Sequence, residues 1–134
     1  MEITDIGVRT NDRYEFVTIT GEVEKAVREA GIDEGFCIIS STHTTAAITV
    51  NEDYDRDVPR DLAAASKALI RSLDVNFQHA EGNSDSHLLT SFFGQSQYLL
   101  VRGGKLDLGR WQGIFLAEFD GPRRRTVRVA VAAA

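Results

Sequence analysis

The chain contains three histidines, and their neighbours are the first sign of chemistry. His43 lies in "STHTTAAITVNEDYD", where Ser41, Thr42, Thr44 and Thr45 crowd one imidazole. An alternating, strand-like run follows and ends in Asn51 and Glu52. His79 and His87 both fall in "FQHAEGNSDSHLL", with Glu81, Asn83 and Asp85 between them. Neutral imidazole is a common transition-metal ligand, and a centre of three imidazoles keeps one position open for water or substrate. The short polar residues around them are types that fix histidine tautomers or complete coordination. The spacing matches no short helical metal motif such as H-E-x-x-H, so loop or core histidines bonded to backbone remain the competing reading.

The acids of "NEDYDRD" imitate a calcium loop through Asp53, Asp55 and Asp57, but the imitation fails. Val58 stands where the sharp turn needs glycine, and Ala64 stands where a bidentate glutamate closes the site. A solvated loop leading into a capped helix suits Asp55 and Asp57 better. Asn51 and Glu52 differ, because they end a strand whose other end carries His43. In "GGKLDLGRWQGIFLAEF", glycines bracket Lys105, Arg110, Trp111 and Gln112. A tryptophan beside glutamine and arginine can stack on a planar ring, although composition favours a core or interface tryptophan. These glycines form neither a dinucleotide fingerprint nor a phosphate loop.

Two helices must help position these residues. In "GEVEKAVREAG", Val23, Ala26, Val27 and Ala30 share one stripe, with Thr20 as cap and Gly31 as terminator. In "DVPRDLAAASKALIRSL", the stripe is Leu62, Ala65, Leu69 and Leu73, with Asp57 as cap and Pro59 in the first turn. Most of the rest reads as strand. "ITDIGV" and "YEFVTIT" form an opening pair joined near "TNDR", and "LLTSFF" is another strand. Gly103-Gly104 marks a two-residue hairpin. "GIFLAEF", apolar on both faces, predicts a strand covered on both sides by helices or by a neighbouring subunit. The fold class is therefore α+β: one domain over residues 1–134, mostly antiparallel sandwiched β-sheets with two main helices.

Bulk properties bound the function. No apolar run approaches the roughly 20 residues needed to cross a bilayer. The net charge of −5 argues against nucleic acid as the main partner. The first residues carry early acids and no apolar core, which predicts no secretory signal. Cys37, alone in "FCIIS", reads as a buried strand residue rather than a nucleophile. Together these point to the cytoplasm. The "RRR" run at Arg123 to Arg125 reads as a solvated turn beside Gly121 and Pro122.

Taken in order, "STHTTAAITVNED", "HAEGNSDSHLLTSFFG" and "GGKLDLGRWQGIFLAEF" resemble the YjbQ family, whose members are also described as secondary thiamine-phosphate synthase-like proteins. Each piece is weak alone; the ordered set is specific and spans nearly the whole chain. The resemblance implies sandwiched sheets, assembly as a homotrimer, and polar residues gathered near subunit contacts. His43 matches the histidine of the family's HTTA motif, and His79 and His87 match the two histidines around its EGN segment. These three are the implied metal ligands, for zinc or a similar ion. His43, Glu52 and Asp85 are the implied catalytic residues, and Thr44, Thr45, Asn51, Asn83, Trp111 and Gln112 the implied substrate contacts. Tyr54, Asp55 and Arg110 depart from the family pattern. The implied reaction joins a hydroxymethylpyrimidine diphosphate to a thiazole phosphate with release of pyrophosphate, magnesium arriving with the diphosphate. A non-catalytic trimeric metabolite- or metal-binding protein and a metal-dependent hydrolase are the alternatives.

Overall fold

The computed structural model describes all 134 residues. Strands β1 (Glu2–Arg9) and β2 (Glu15–Thr18) lead into helix α1 (Thr20–Ala30). Strands β3 (Glu34–Ser41) and β4 (Ala46–Glu52) follow, then helices α2 (Asp57–Arg71) and α3 (Ser84–Phe93). The chain ends with β5 (Ser96–Arg102), β6 (Lys105–Leu106), β7 (Gln112–Glu118) and β8 (Arg124–Ala133). A five-stranded sheet has the order β1-β8-β3-β5-β6 and a three-stranded sheet the order β2-β7-β4. Every pairing is antiparallel.

The two sheets face each other over the main core, which Val8, Ile39, Ile48, Ile114, Leu116, Val127 and Val129 fill. Helix α1 contributes Val23, Ala26 and Val27 to this core, and Gly31, at φ 67°, closes it in the left-handed region. The other face of the small sheet carries Phe16, Ala47, Phe115, Ala117 and Phe119, covered by Leu62, Ala63 and Ile70 of α2 and Leu89 and Phe93 of α3. The double-sided apolar strand "GIFLAEF" is thus β7, with the large sheet on one face and helices on the other. Cys37 is fully buried in the main core, and burial pushes its thiol up to about 11. Gly103 and Gly104, at φ 60° and 74°, turn β5 into β6 as a hairpin of the expected kind.

Several expectations need correction. The first two strands do not pair: β1 lies beside β8 in one sheet and β2 beside β7 in the other. "LLTSFF" is the body of a third helix, because Ser86, Leu89 and Thr90 recur at helical spacing and are buried. Tertiary packing overrides the strand preference of its aromatic and β-branched residues. Helix α2 presents a different stripe. Ser66 is buried between Leu62 and Ile70, while Leu69 is 62% exposed. Leu62, Ala63 and Ile70 pack on the aromatic face of the small sheet, and periodicity alone does not separate two adjacent stripes that share Leu62. Thr20 does not cap α1; its hydroxyl donates to Asp53 at 2.6 Å.

Candidate functional site

One end of the sandwich is closed by a buried ion pair. Glu118 points inward from the last position of β7, and Arg125 points inward from β8, in the same inward register as Val127, Val129 and Val131. Their side chains are 0% and 1% exposed and joined by two guanidinium nitrogens. Thr10 donates its hydroxyl to Glu118 at 2.7 Å, and the Asp120 N–H donates to the other oxygen at 3.1 Å. The Nη2 of Arg125 that meets Glu118 also donates to the Thr45 hydroxyl at 2.8 Å and contacts its carbonyl. A buried pair holds only when its remaining donors and acceptors are satisfied, and both Glu118 oxygens and the Nε and Nη2 of Arg125 have partners. Arg125 is therefore no part of a solvated turn; Arg123 and Arg124 alone are exposed.

The ion pair fixes the loop that carries His43. Arg125 anchors Thr45, the Ser41 hydroxyl accepts the His43 N–H at 3.2 Å, and the Thr42 hydroxyl donates to the Thr126 carbonyl at 3.1 Å. The His43 ring is held by Nε2, which accepts the Thr126 N–H at 2.8 Å. A ring carbon could not accept there, so this bond fixes both the ring orientation and the tautomer: Nδ1 carries the proton. Burial, and then the nearby Arg125, lower the His43 pKa from its ordinary value. On acidification the unfolded chain therefore takes the proton first. This contribution to stability is complete above the ordinary pKa and is lost as the pH falls below it.

The segment around Asn83 meets the same end of the fold. Asn83 is buried and donates to Asp120 at 2.8 Å, and Asp120 in turn binds Arg123 at 3.1 Å. Its Oδ1 is buried without a partner, an omission that costs about 1–3 kcal/mol. Asp85, in the first turn of α3, accepts both bonds of a forked contact from Arg13 and a 2.5 Å bond from the Tyr14 hydroxyl. Burial, then this bond, raises the Tyr14 pKa. His79 and His87 stand with ring centroids 5.5 Å apart, and His79 lies 3.9 Å from Glu81.

One chain does not bring the three imidazoles together. His43 reaches toward β8 of the large sheet, whereas His87 belongs to the helical layer beyond the small one. No group of three or more His, Cys, Asp or Glu side chains is arranged to hold a metal within the chain. The Nε2 lone pair of His43 is committed to Thr126, and a protonated Nδ1 has none to give. The residues of a single chain thus do not fit a three-histidine centre.

Asn51, Glu52, Trp111 and Gln112 occupy the opposite end. Glu52 pairs with Gln112 at one end of β4 and Ala46 with Glu118 at the other, so the two groups are separated by roughly 20 Å of strand. Gln112 closes its own loop by accepting the Gly109 N–H at 2.8 Å, and Asn51 accepts the Glu52 N–H at 2.7 Å. Trp111 is 47% exposed, with the Tyr54 ring at 5.0 Å and the Arg110 guanidinium at 4.9 Å. Glu52, Tyr54 and Trp111 line an open groove of about 660 Å³ with Arg56 and Arg60. Thr44 is exposed beside His43, while Thr45 is buried and serves Arg125.

Sequence reasoning missed Glu118, Arg125, Thr10 and Asp120. The available signal was one acid inside "GIFLAEF" and one arginine in phase with the inward valines of "RTVRVAV". Each is a charge on a face that burial would otherwise forbid.

Comparison with known proteins agrees with this architecture. The family described as UPF0047 protein YjbQ-like matches residues 4–134. A UPF0047 protein of Methanocaldococcus jannaschii is 45% identical over 124 residues, covering 92% of this chain and 89% of that protein. The UPF0047 protein YugU of Bacillus subtilis is 43% identical over 89% of this chain and 90% of its own length. A crystal structure of a YjbQ/UPF0047 family protein from Clostridium acetobutylicum superposes with a TM-score of 0.92 at 40% identity, covering 96% of this chain and 99% of that one. By sequence and by fold, the chain belongs to the UPF0047 YjbQ-like family.

Proposed function

We propose that this protein is a cytoplasmic, pyrophosphate-releasing transferase of the thiamine-phosphate synthase kind, with His43 at its reacting end. The observation that carries the reading is His43 itself, a neutral imidazole locked by Nε2 with Nδ1–H as its remaining donor. A departing diphosphate gains negative charge, and a fixed donor aimed at that charge lowers the barrier without reorganising. Arg123, exposed at the same end and paired with Asp120, helps to keep the ring neutral. No step is routed through a histidine-bound metal, because the donors of one chain do not fit it.

Purified protein given hydroxymethylpyrimidine diphosphate, thiazole phosphate and magnesium should form thiamine phosphate. His43→Ala should lower the rate by about 100-fold or more, the usual worth of a positioned proton donor or oxyanion donor. A variant as active as the parent sinks this reading, and binding of both substrates without turnover leaves the protein a metabolite binder.

The same reading includes a homotrimer. The outer face of the large sheet is uncovered within the chain and carries two apolar rows. Ile3, Ala130, Ile38 and Tyr98 are aligned across four strands, and Ala132, Phe36 and Leu100 across three. Tyr98 is 74% and Leu100 59% exposed, and contiguous exposed apolar surface of this kind marks an association face. The mass in solution should be three times the 14.8 kDa of one chain, and Leu100→Lys should reduce it. A monomeric parent protein contradicts this part.

A further inference from the structure

A second cavity, of about 520 Å³, lies between α2 and the turn joining β1 to β2, and no residue implied for the metal lines it. Its floor is apolar: Ala63, Ala64 and Ile70 along one side of α2, opposite Tyr14. Its polar groups do not balance. The charge of Arg13 is spent on Asp85, which Tyr14 also holds. Lys67 and Arg71, at i and i+4 on α2, line the cleft without an ion-pair partner, against the single remaining acid Asp12. The volume falls within the range of small-molecule sites, which combine apolar walls with a few placed polar groups.

We propose that this cleft binds a small organic phosphate monoester, its ring or chain resting on Ala63, Ala64 and Ile70 and its phosphate held by Lys67 and Arg71. The proposal is independent of the role given to His43, which does not line the cleft. Both cations project from a single helix face, so they can converge on one phosphate without any backbone change. The Arg13–Asp85 contact ties the turn to α3 and keeps the opposite wall in place.

The test is titration of the full-length protein with phenyl phosphate, followed by calorimetry and by amide chemical shifts. Phenyl phosphate should shift the amides of residues 12–14 and 63–71 and bind at least about tenfold more tightly than phenol, the return for one charge-assisted contact. Lys67→Gln combined with Arg71→Gln should weaken binding by about tenfold or more while leaving the unfolding midpoint in place. Ala64→Phe, which fills the cleft and leaves both cations, should block binding. His43→Ala should bind phenyl phosphate as the parent does. No shift in the cleft amides, equal binding of phenol, or undiminished binding by the double variant or by Ala64→Phe would each overturn the assignment.

Discussion

Glu118→Ala should destabilise the protein by about 3–5 kcal/mol, because it leaves the Arg125 guanidinium buried and uncompensated. The loss is a large share of the roughly 5–15 kcal/mol that holds a domain folded. Glu118 also accepts from Thr10 and from the Asp120 N–H, so those two groups lose their partner in the same step. Denaturant unfolding measures the effect directly, and a loss below about 1 kcal/mol would mean that water replaces the carboxylate and that the pair is not sealed. Replacing both partners by apolar residues, Glu118→Leu with Arg125→Met, should recover most of the stability, since a well-packed apolar pair often equals a buried ionic one. It should not recover function. Without Arg125 the Thr45 carbonyl and hydroxyl lose their anchor and the His43 loop is released.

Phe119→Ala should cost a similar amount, about 3–5 kcal/mol, but for a different reason. The ring is fully buried where the turn leaves β7, and it meets Tyr14, Phe16 and Phe93 with centroids 5.7, 5.9 and 5.4 Å away. Truncation leaves a cavity between the small sheet and the two helices that cover it. The backbone of Phe119 also joins the two halves of the site, since its carbonyl accepts the Ser86 hydroxyl at 2.5 Å and its N–H donates to the Thr45 carbonyl at 3.2 Å. The lowered midpoint should therefore come with weaker hydrogen-exchange protection at the backbone N–H of residue 119, which donates to Thr45. Unchanged protection there would show that the ring fills space without holding the site.

The parts of the fold that were legible in the sequence are those written in local pattern. The stripe of Val23, Ala26 and Val27, the Gly31 terminator, the Gly103-Gly104 hairpin and the double-sided apolar run of β7 each carry their own signature. What was not legible depends on partners remote in sequence. The separation of β1 from β2 follows from their pairing with β8 and β7, more than 90 residues downstream. The residues of helix α3 favour strands in isolation, while packing on Ala47 and Phe119 makes them helical. For α2, two stripes through Leu62 are equally periodic, and the one that holds Ser66 and Ile70 meets the sheet.

The site divided in the same way. Two of the motif pieces, around His43 and around Asn83, meet at one end of the sandwich through the backbone of Phe119. The pieces holding Glu52 and Trp111 emerge at the other end, because β4 is one straight strand between them. The three imidazoles invited a single metal-binding reading, yet the backbone of Thr126 claims the His43 nitrogen that such a centre would use. No local pattern announces that bond, which joins residues 83 positions apart.

Nitrogen-15 spectroscopy of the His43 imidazole, followed through a pH titration, reaches the centre of the site most directly. The expected spectrum at neutral pH has the proton on Nδ1 and a hydrogen-bonded lone pair on Nε2, with protonation occurring only below the ordinary histidine value of 6.5. A ring carrying its proton on Nε2, or one that protonates at or above that value, would contradict the locked, neutral donor on which the proposed function depends.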